Sequence, residues 1–183
     1  MISPSRWLCL LLLVPVHAAL GQQPEVPFAS RTCHVTFSHP AGWEVVPDTL
    51  EPDNPCRFLV RPRDWQRRLA SHDSVDVYTI LVSIAAHDVW REVPETAFRR
   101  RGAGWVVLGR EDLVGPADTV SGQGWHGLKG MATIGCYKEE GDYAGLCDAP
   151  SAVVGTSTRS LVLIAGPQSE DVFERILATL RFQ

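Results

Sequence analysis

The sequence predicts an α+β fold: a largely antiparallel β-sheet flanked by helices and ending in an amphipathic helix. Three observations lead there. Stretches rich in β-branched and apolar residues recur along the chain, most plainly at Val75–Ala86 and Ser160–Ala165. Helical patterns are isolated, with strand-like segments before and after them. The last segment carries a one-sided apolar stripe of helical period.

Taken in order, Gln22–Ala29 contains Pro24 and Pro27 and reads as a loose leader, so residues 31–183 are expected to form a single domain. Thr32–Ser38 has strand composition. His39-Pro40-Ala41-Gly42 is a turn, after which Trp43–Val46 resumes in extended form. Pro47–Pro55, rich in proline and acid, is a loop. Cys56–Arg61 is a short strand with Phe58 and Val60 on one face. Asp64 is placed to cap a short helix through Ala70, with Trp65 and Leu69 four apart.

Ser71–Ser74 is a turn, and Val75–Ala86 is the longest strand candidate. Its centre, Ile80-Leu81-Val82, is apolar on both faces, as in a strand covered on both sides. Pro94–Arg101 reads as a helix, with proline in its first turn, Glu95 near the positive end of the dipole and three arginines at the other. Gly102 then stops it. Trp105–Arg110 is a strand, and Thr119–Ser121 with Trp125–Thr133 forms a hairpin around Gly122 and Gly124. Cys136–Asp142 is a polar connection across which Tyr143–Cys147 pairs. Ser160–Ala165 is an apolar strand. Ser169 caps the final helix, whose stripe is Val172, Phe173, Ile176, Leu177 and Leu180.

The N-terminus predicts export. Arg6 precedes the apolar run Trp7–Val14, Pro15 ends it, and the small Ala19 and Gly21 set up a cut before Gln22, with a cut after Ala18 or Ala19 as the alternative. Met1–Gly21 is therefore read as a signal peptide. The run is shorter than the roughly 20 apolar residues a spanning helix needs, so the mature chain is expected to carry no transmembrane anchor. Removal of Cys9 leaves Cys33, Cys56, Cys136 and Cys147, an even set suited to an oxidising compartment. Of the three pairings possible, Cys33–Cys56 and Cys136–Cys147 are favoured, because each brackets an antiparallel connection. The neighbouring His34 does not make Cys33 a reactive thiol on this reading, since adjacent strand residues face opposite ways.

With 45% apolar and 21% charged residues the chain has the composition of a globular domain. A formal charge of −4 argues against binding nucleic acid, which draws on lysine and arginine. Arg61, Arg63, Arg67 and Arg68 form a candidate binding patch for an anionic partner, and Arg99-Arg100-Arg101 is a second basic cluster. No motif assigns a catalytic residue, metal ligand or cofactor. His72-Asp73 with Asp76 is the nearest grouping to a metal site, and Asp48, Glu51 and Asp53 the nearest to a calcium loop. Ser121-Gly122-Gln123-Gly124-Trp125-His126 sets a serine near a histidine without the Gly-x-Ser-x-Gly context of a hydrolase.

Two stretches carry a family resemblance. Phe37-Ser38-His39-Pro40-Ala41-Gly42-Trp43-Glu44-Val45 resembles the opening of the PsbP-like superfamily. Ser160–Phe182, a strand followed by a helix ending Ile-Leu-x-x-Leu-x-Phe, resembles its close. The resemblance implies an α/β/α sandwich on an antiparallel sheet and an accessory role by binding, with no catalytic residue to carry over. In Trp43 the ring is expected in the core. The expected function is a secreted or periplasmic, non-enzymatic binding or accessory module for a protein or envelope component. The alternatives are an extracytoplasmic hydrolase using the Ser121–His126 loop, and a small-ligand carrier, which needs an apolar pocket of several hundred Å³ between sheet and helix.

Overall fold

In the computed structural model, the described residues are 24–69, 78–110, 114–137 and 143–183. The signal segment Met1–Gly21, the turn Ser71–Ser74 and the His72, Asp73 and Asp76 grouping lie outside them. The fold is α+β, and every strand pairing among the described residues is antiparallel.

Among the described residues, twelve strands form two sheets. A three-stranded sheet has the order β1 (Glu25–Ser30), β2 (Val35–Pro40), β12 (Arg181–Phe182). The nine-stranded sheet begins with β3 (Trp43–Pro47), β4 (Arg57–Pro62) and β5 (Ile80–Ala85). It continues through β11 (Ser160–Ala165), β10 (Tyr143–Gly155) and β9 (Trp125–Tyr137). It ends with β8 (Val114–Gly122), β7 (Gly104–Leu108) and β6 (Phe98–Arg101). Three short α-helices are found among the described residues: α1 (Trp65–Leu69), α2 (Val89–Glu92) and α3 (Glu170–Thr179).

The two faces of the large sheet are covered differently. On the first face lie α3 and the three-stranded sheet. Val172, Phe173, Ile176, Leu177 and Leu180, the predicted stripe, are all buried there against Phe37, Val60, Val82 and Leu163. A fully buried side chain of this kind contributes about 1.5–3 kcal/mol, so this seam is a main source of stability. The indole N–H of Trp125 donates to Leu180 O at 3.1 Å, and Ser38 N–H donates to Thr179 Oγ1 at 2.8 Å, which fixes the end of α3. On the second face, among the described residues, α2 and a 3-10 turn at Val93–Glu95 cover only part of the sheet. Val89, Val93, Phe98 and Val107 pack there on Leu128, Ala132 and Val153. Alternation along β5 records the difference: Ile80, Val82 and Ile84 are buried, while Leu81, Ser83 and Ala85 are only half-buried.

Disulfides join Cys33 to Cys56 and Cys136 to Cys147. The first ties the β1–β2 turn to the start of β4, and so ties the two sheets together. The second crosslinks β9 to β10.

Several sequence expectations are corrected. Pro94–Arg101 is not a helix. Asp88 caps α2 through its side chain, accepting from Trp90 N–H at 2.7 Å, and Pro94 falls within the 3-10 turn. Thr96 then turns extended, and its hydroxyl donates to Val93 O. The arginines lie on β6, where Phe98 faces inward and Arg99, Arg100 and Arg101 are exposed. A proline, an acid and three arginines at these spacings match a helix's charge preferences, but one buried residue on an edge strand satisfies the packing. Gly102 closes the β6–β7 turn with φ +61°, a conformation glycine adopts freely.

The loose leader is also corrected, because Glu25–Ser30 pairs with β2 as an edge strand. Proline is tolerated at such an edge, and Phe28 anchors the strand through ring contacts with Phe37 and Phe58. The Thr32–Ser38 strand starts only at Val35, since Cys33 and His34 form a turn and His34 has φ +53°. In Val75–Ala86 the strand spans Ile80–Ala85, with Tyr78 and Thr79 outside it, and residues 75–77 are not among those described. The longest strands are β9 and β10, which run past the limits read from the glycines and cysteines. Ser169 sits at the α3 N-cap position without a capping hydrogen bond, and its buried Oγ has no partner.

Trp43 is 9% exposed and lies in the first core. Trp43→Ala is expected to destabilise the oxidised protein by about 3–5 kcal/mol in denaturant titrations. A change within the error of the titration contradicts this placement.

Candidate functional site

Concavity is found on the second sheet face, on both sides of the partial roof. The larger feature is a groove of about 290 Å³. Its floor comes from four neighbouring strands: Leu81 on β5, Val162 and Ile164 on β11, Ser151 on β10, and Ala132 and Ile134 on β9. Its rim carries Arg57, Glu92, Glu95 and Thr96. Strand alternation produces this floor, because the same strands send Val82, Leu163 and their neighbours into the sealed core on the other side.

The rim charges are held in place. Arg57 Nε donates to Asp48 Oδ2 at 2.6 Å, and its Nη1 donates to Glu51 Oε1 at 2.5 Å. Asp48 is nearly buried and its other oxygen accepts from Leu50 N–H. Two of the acids weighed as calcium ligands therefore serve one arginine instead. Across the groove, Glu92 Oε2 pairs with His87 Nε2 and accepts from Ser160 Oγ at 3.2 Å.

The smaller feature is a cleft of about 280 Å³ lined by Trp90, Thr119, Val120, Ser121, His126 and Gly127. Here the structure brings Ser121 and His126 together as direct partners across the β8–β9 hairpin. Gly124 closes that hairpin with φ +78°. Gly122 is pressed against the Trp125 ring, where a Cβ would approach to 2.2 Å. Both Ser121 and His126 are exposed, and among the described residues no carboxylate hydrogen-bonds to His126. The ring beside His126 is Trp90, with centroids 5.5 Å apart. A serine–histidine relay takes an acid on the far side of the imidazole.

The arginine patch is assembled at the junction of β4 and α1, but with counter-charges. Arg61 Nε donates to Glu44 Oε1 at 2.9 Å, and its guanidinium lies 4.4 Å from the Trp65 ring centroid. Arg63 donates to Trp43 O. Arg67 and Arg68 both bond Asp64, at 2.6 and 2.8 Å. Arg68 and Arg67, in that order of effect, hold the Asp64 carboxyl below the usual carboxylate range. The patch presents less net positive charge than its arginines alone imply.

Sequence reading missed the groove and Trp90. The groove follows from which parts of a sheet face stay uncovered, a tertiary property. Trp90 had a local signal in Asp88, a capping residue two positions ahead of it.

With its folded pKa depressed, Asp64 lends stability that is complete above the unfolded carboxyl value and lost as pH falls through the folded one. Asp64→Asn removes that dependence and unmasks Arg67 and Arg68. The variant is expected to elute from heparin at higher salt than the wild type. Equal elution contradicts the masking.

No protein-family model matches this chain, and no curated protein matches it. Solved structures do show likeness. One is a crystal structure from Bacteroides thetaiotaomicron VPI-5482, with a TM-score of 0.49 and 14% identity, covering 88% of this chain and 49% of that one. This chain thus spans about half the length of that structure. The other is the solution structure of cyanobacterial PsbP (CyanoP) from Synechocystis sp. PCC 6803. Its TM-score is 0.44 at 10% identity, covering 90% of this chain and 96% of that one.

Proposed function

We propose that the protein is a secreted or periplasmic binding module, acting without catalysis, that offers the half-roofed face of its sheet to an envelope component. The observation that carries this reading is the groove of about 290 Å³, whose apolar floor is rimmed by fixed charges and a hydroxyl. Binding sites commonly combine an apolar lining with a few placed polar groups. Two disulfides fit an oxidising, extracytoplasmic compartment. No helix among the described residues is long and apolar enough to cross a membrane.

The same groove favours a second reading, a small-ligand carrier. Its volume lies near the lower end of ligand pockets, roughly 300–1,000 Å³. The cargo would then be one short apolar chain with a polar head at the rim. For the hydrolase alternative the supporting feature is the Ser121–His126 cross-strand pair.

Ser83 lines the groove and is only half-buried, so Ser83→Phe fills it from a tolerant position. Capture of components from a detergent extract of the envelope, by immobilised oxidised protein, is expected to fall at least about 10-fold, with the melting point kept. Undiminished capture contradicts the assignment to this face.

A further inference from the structure

Trp90 is 41% exposed, yet it is not loose. Its ring stacks on Trp105 with centroids 5.6 Å apart and planes 15° from parallel. Arg100 lies 5.8 Å from the Trp105 centroid, and the His126 ring stands 5.5 Å from Trp90. Two rings, one of them beside the Arg100 guanidinium, thus hold one exposed indole in a set position. Fixing a side chain before a ligand arrives removes ordering cost from binding.

The cleft beside this indole has a definite polarity. Thr119, Ser121 and His126 supply two hydroxyls and an imidazole, all exposed, and none hydrogen-bonds to another described side chain. No carboxylate, lysine or arginine lines it. A cationic ligand would meet no counter-ion there, and an anionic one no lysine or arginine. A purely apolar ligand would cover the indole but separate three polar groups from water without replacing their hydrogen bonds. What satisfies every wall is a neutral molecule with an apolar face and hydroxyls around its edge. A pyranose ring has that form: its face of C–H bonds meets the negative face of an indole, and its equatorial hydroxyls reach sideways.

We infer that the Trp90 cleft binds a sugar ring of a neutral saccharide. This deepens the binding-module reading by naming a ligand class, at a concavity separate from the groove. Trp90 is the platform, and Thr119, Ser121 and His126 are the hydrogen-bonding edge.

The test titrates the oxidised full-length protein with neutral oligosaccharides of glucose, galactose, mannose and N-acetylglucosamine, followed by calorimetry and tryptophan fluorescence. At least one is expected to bind saturably, with a dissociation constant at or below about 1 mM. Trp90→Ala is expected to weaken it at least about 10-fold, as loss of an aromatic anchor does. Ser121→Ala and His126→Ala each weaken it about 2–10-fold, as loss of single hydrogen bonds does. Ser121→Tyr blocks the cleft while leaving the Trp90–Trp105 stack in place, so the result stands even where Trp90→Ala fails to fold. Absence of binding by every oligosaccharide at about 10 mM overturns the inference. So does binding that survives Ser121→Tyr. Envelope capture that remains sensitive to Ser83→Phe in such a protein overturns only the saccharide assignment and leaves the binding-module reading intact.

Discussion

The seam between α3 and the first face of the large sheet is the interaction on which the rest of the structure depends. Phe173, Ile176 and Val172 are buried in the same core as Val60, Val82 and Leu163. Once that face is sealed, every alternate residue of β4, β5, β10 and β11 is committed inward, and its neighbours are committed to the other face. The character of the second face is therefore set by packing on the first. Trp125 links the two sides, since its ring lies in the first core and bonds Leu180 O, while its neighbour His126 faces the cleft.

Crosslinks support this asymmetry. Cys33–Cys56 joins the small sheet, which helps seal the first face, to β4 of the large one. Nearby, Asp48 and Arg57 form a partly buried ion pair that also anchors the loop before β4. Breaking such a pair leaves an uncompensated charge, so its value lies in holding Arg57 at the groove rim more than in net stability. Among the described residues the second face has no comparable seal. Its roof among the described residues is a one-turn helix and a 3-10 turn, too little to cover a nine-stranded sheet.

Much of the architecture was legible from local pattern. Ser160–Ala165 and the α3 stripe emerge as predicted, because burial there depends on strict periodicity within one element. The Cys33–Cys56 and Cys136–Cys147 pairing also follows the expected bracketing. Pro94–Arg101 misled because its charge pattern imitates a helix, whereas its state is decided by pairing with Gly104–Leu108. Pro24 and Pro27 misled in the opposite sense, hiding an edge strand held by the distant Phe58. Of the candidate sites, the arginine patch was visible in sequence but its partners Glu44 and Asp64 altered its meaning. The groove and the Trp90 stack were invisible, because their members come from segments far apart in the chain.

One sealed face and one half-open face make up the central claim. Adjacent residues of β5 test it, since Val82 is fully buried on the first face and Ser83 lines the groove on the second. With Cys9→Ser in place and Cys33, Cys56, Cys136 and Cys147 in their disulfides, Val82→Cys and Ser83→Cys each add a single free thiol. Under native conditions the thiol of Ser83→Cys is predicted to react readily with a small maleimide, while that of Val82→Cys reacts only on unfolding. Equal protection of the two, or faster reaction at position 82, would contradict the account.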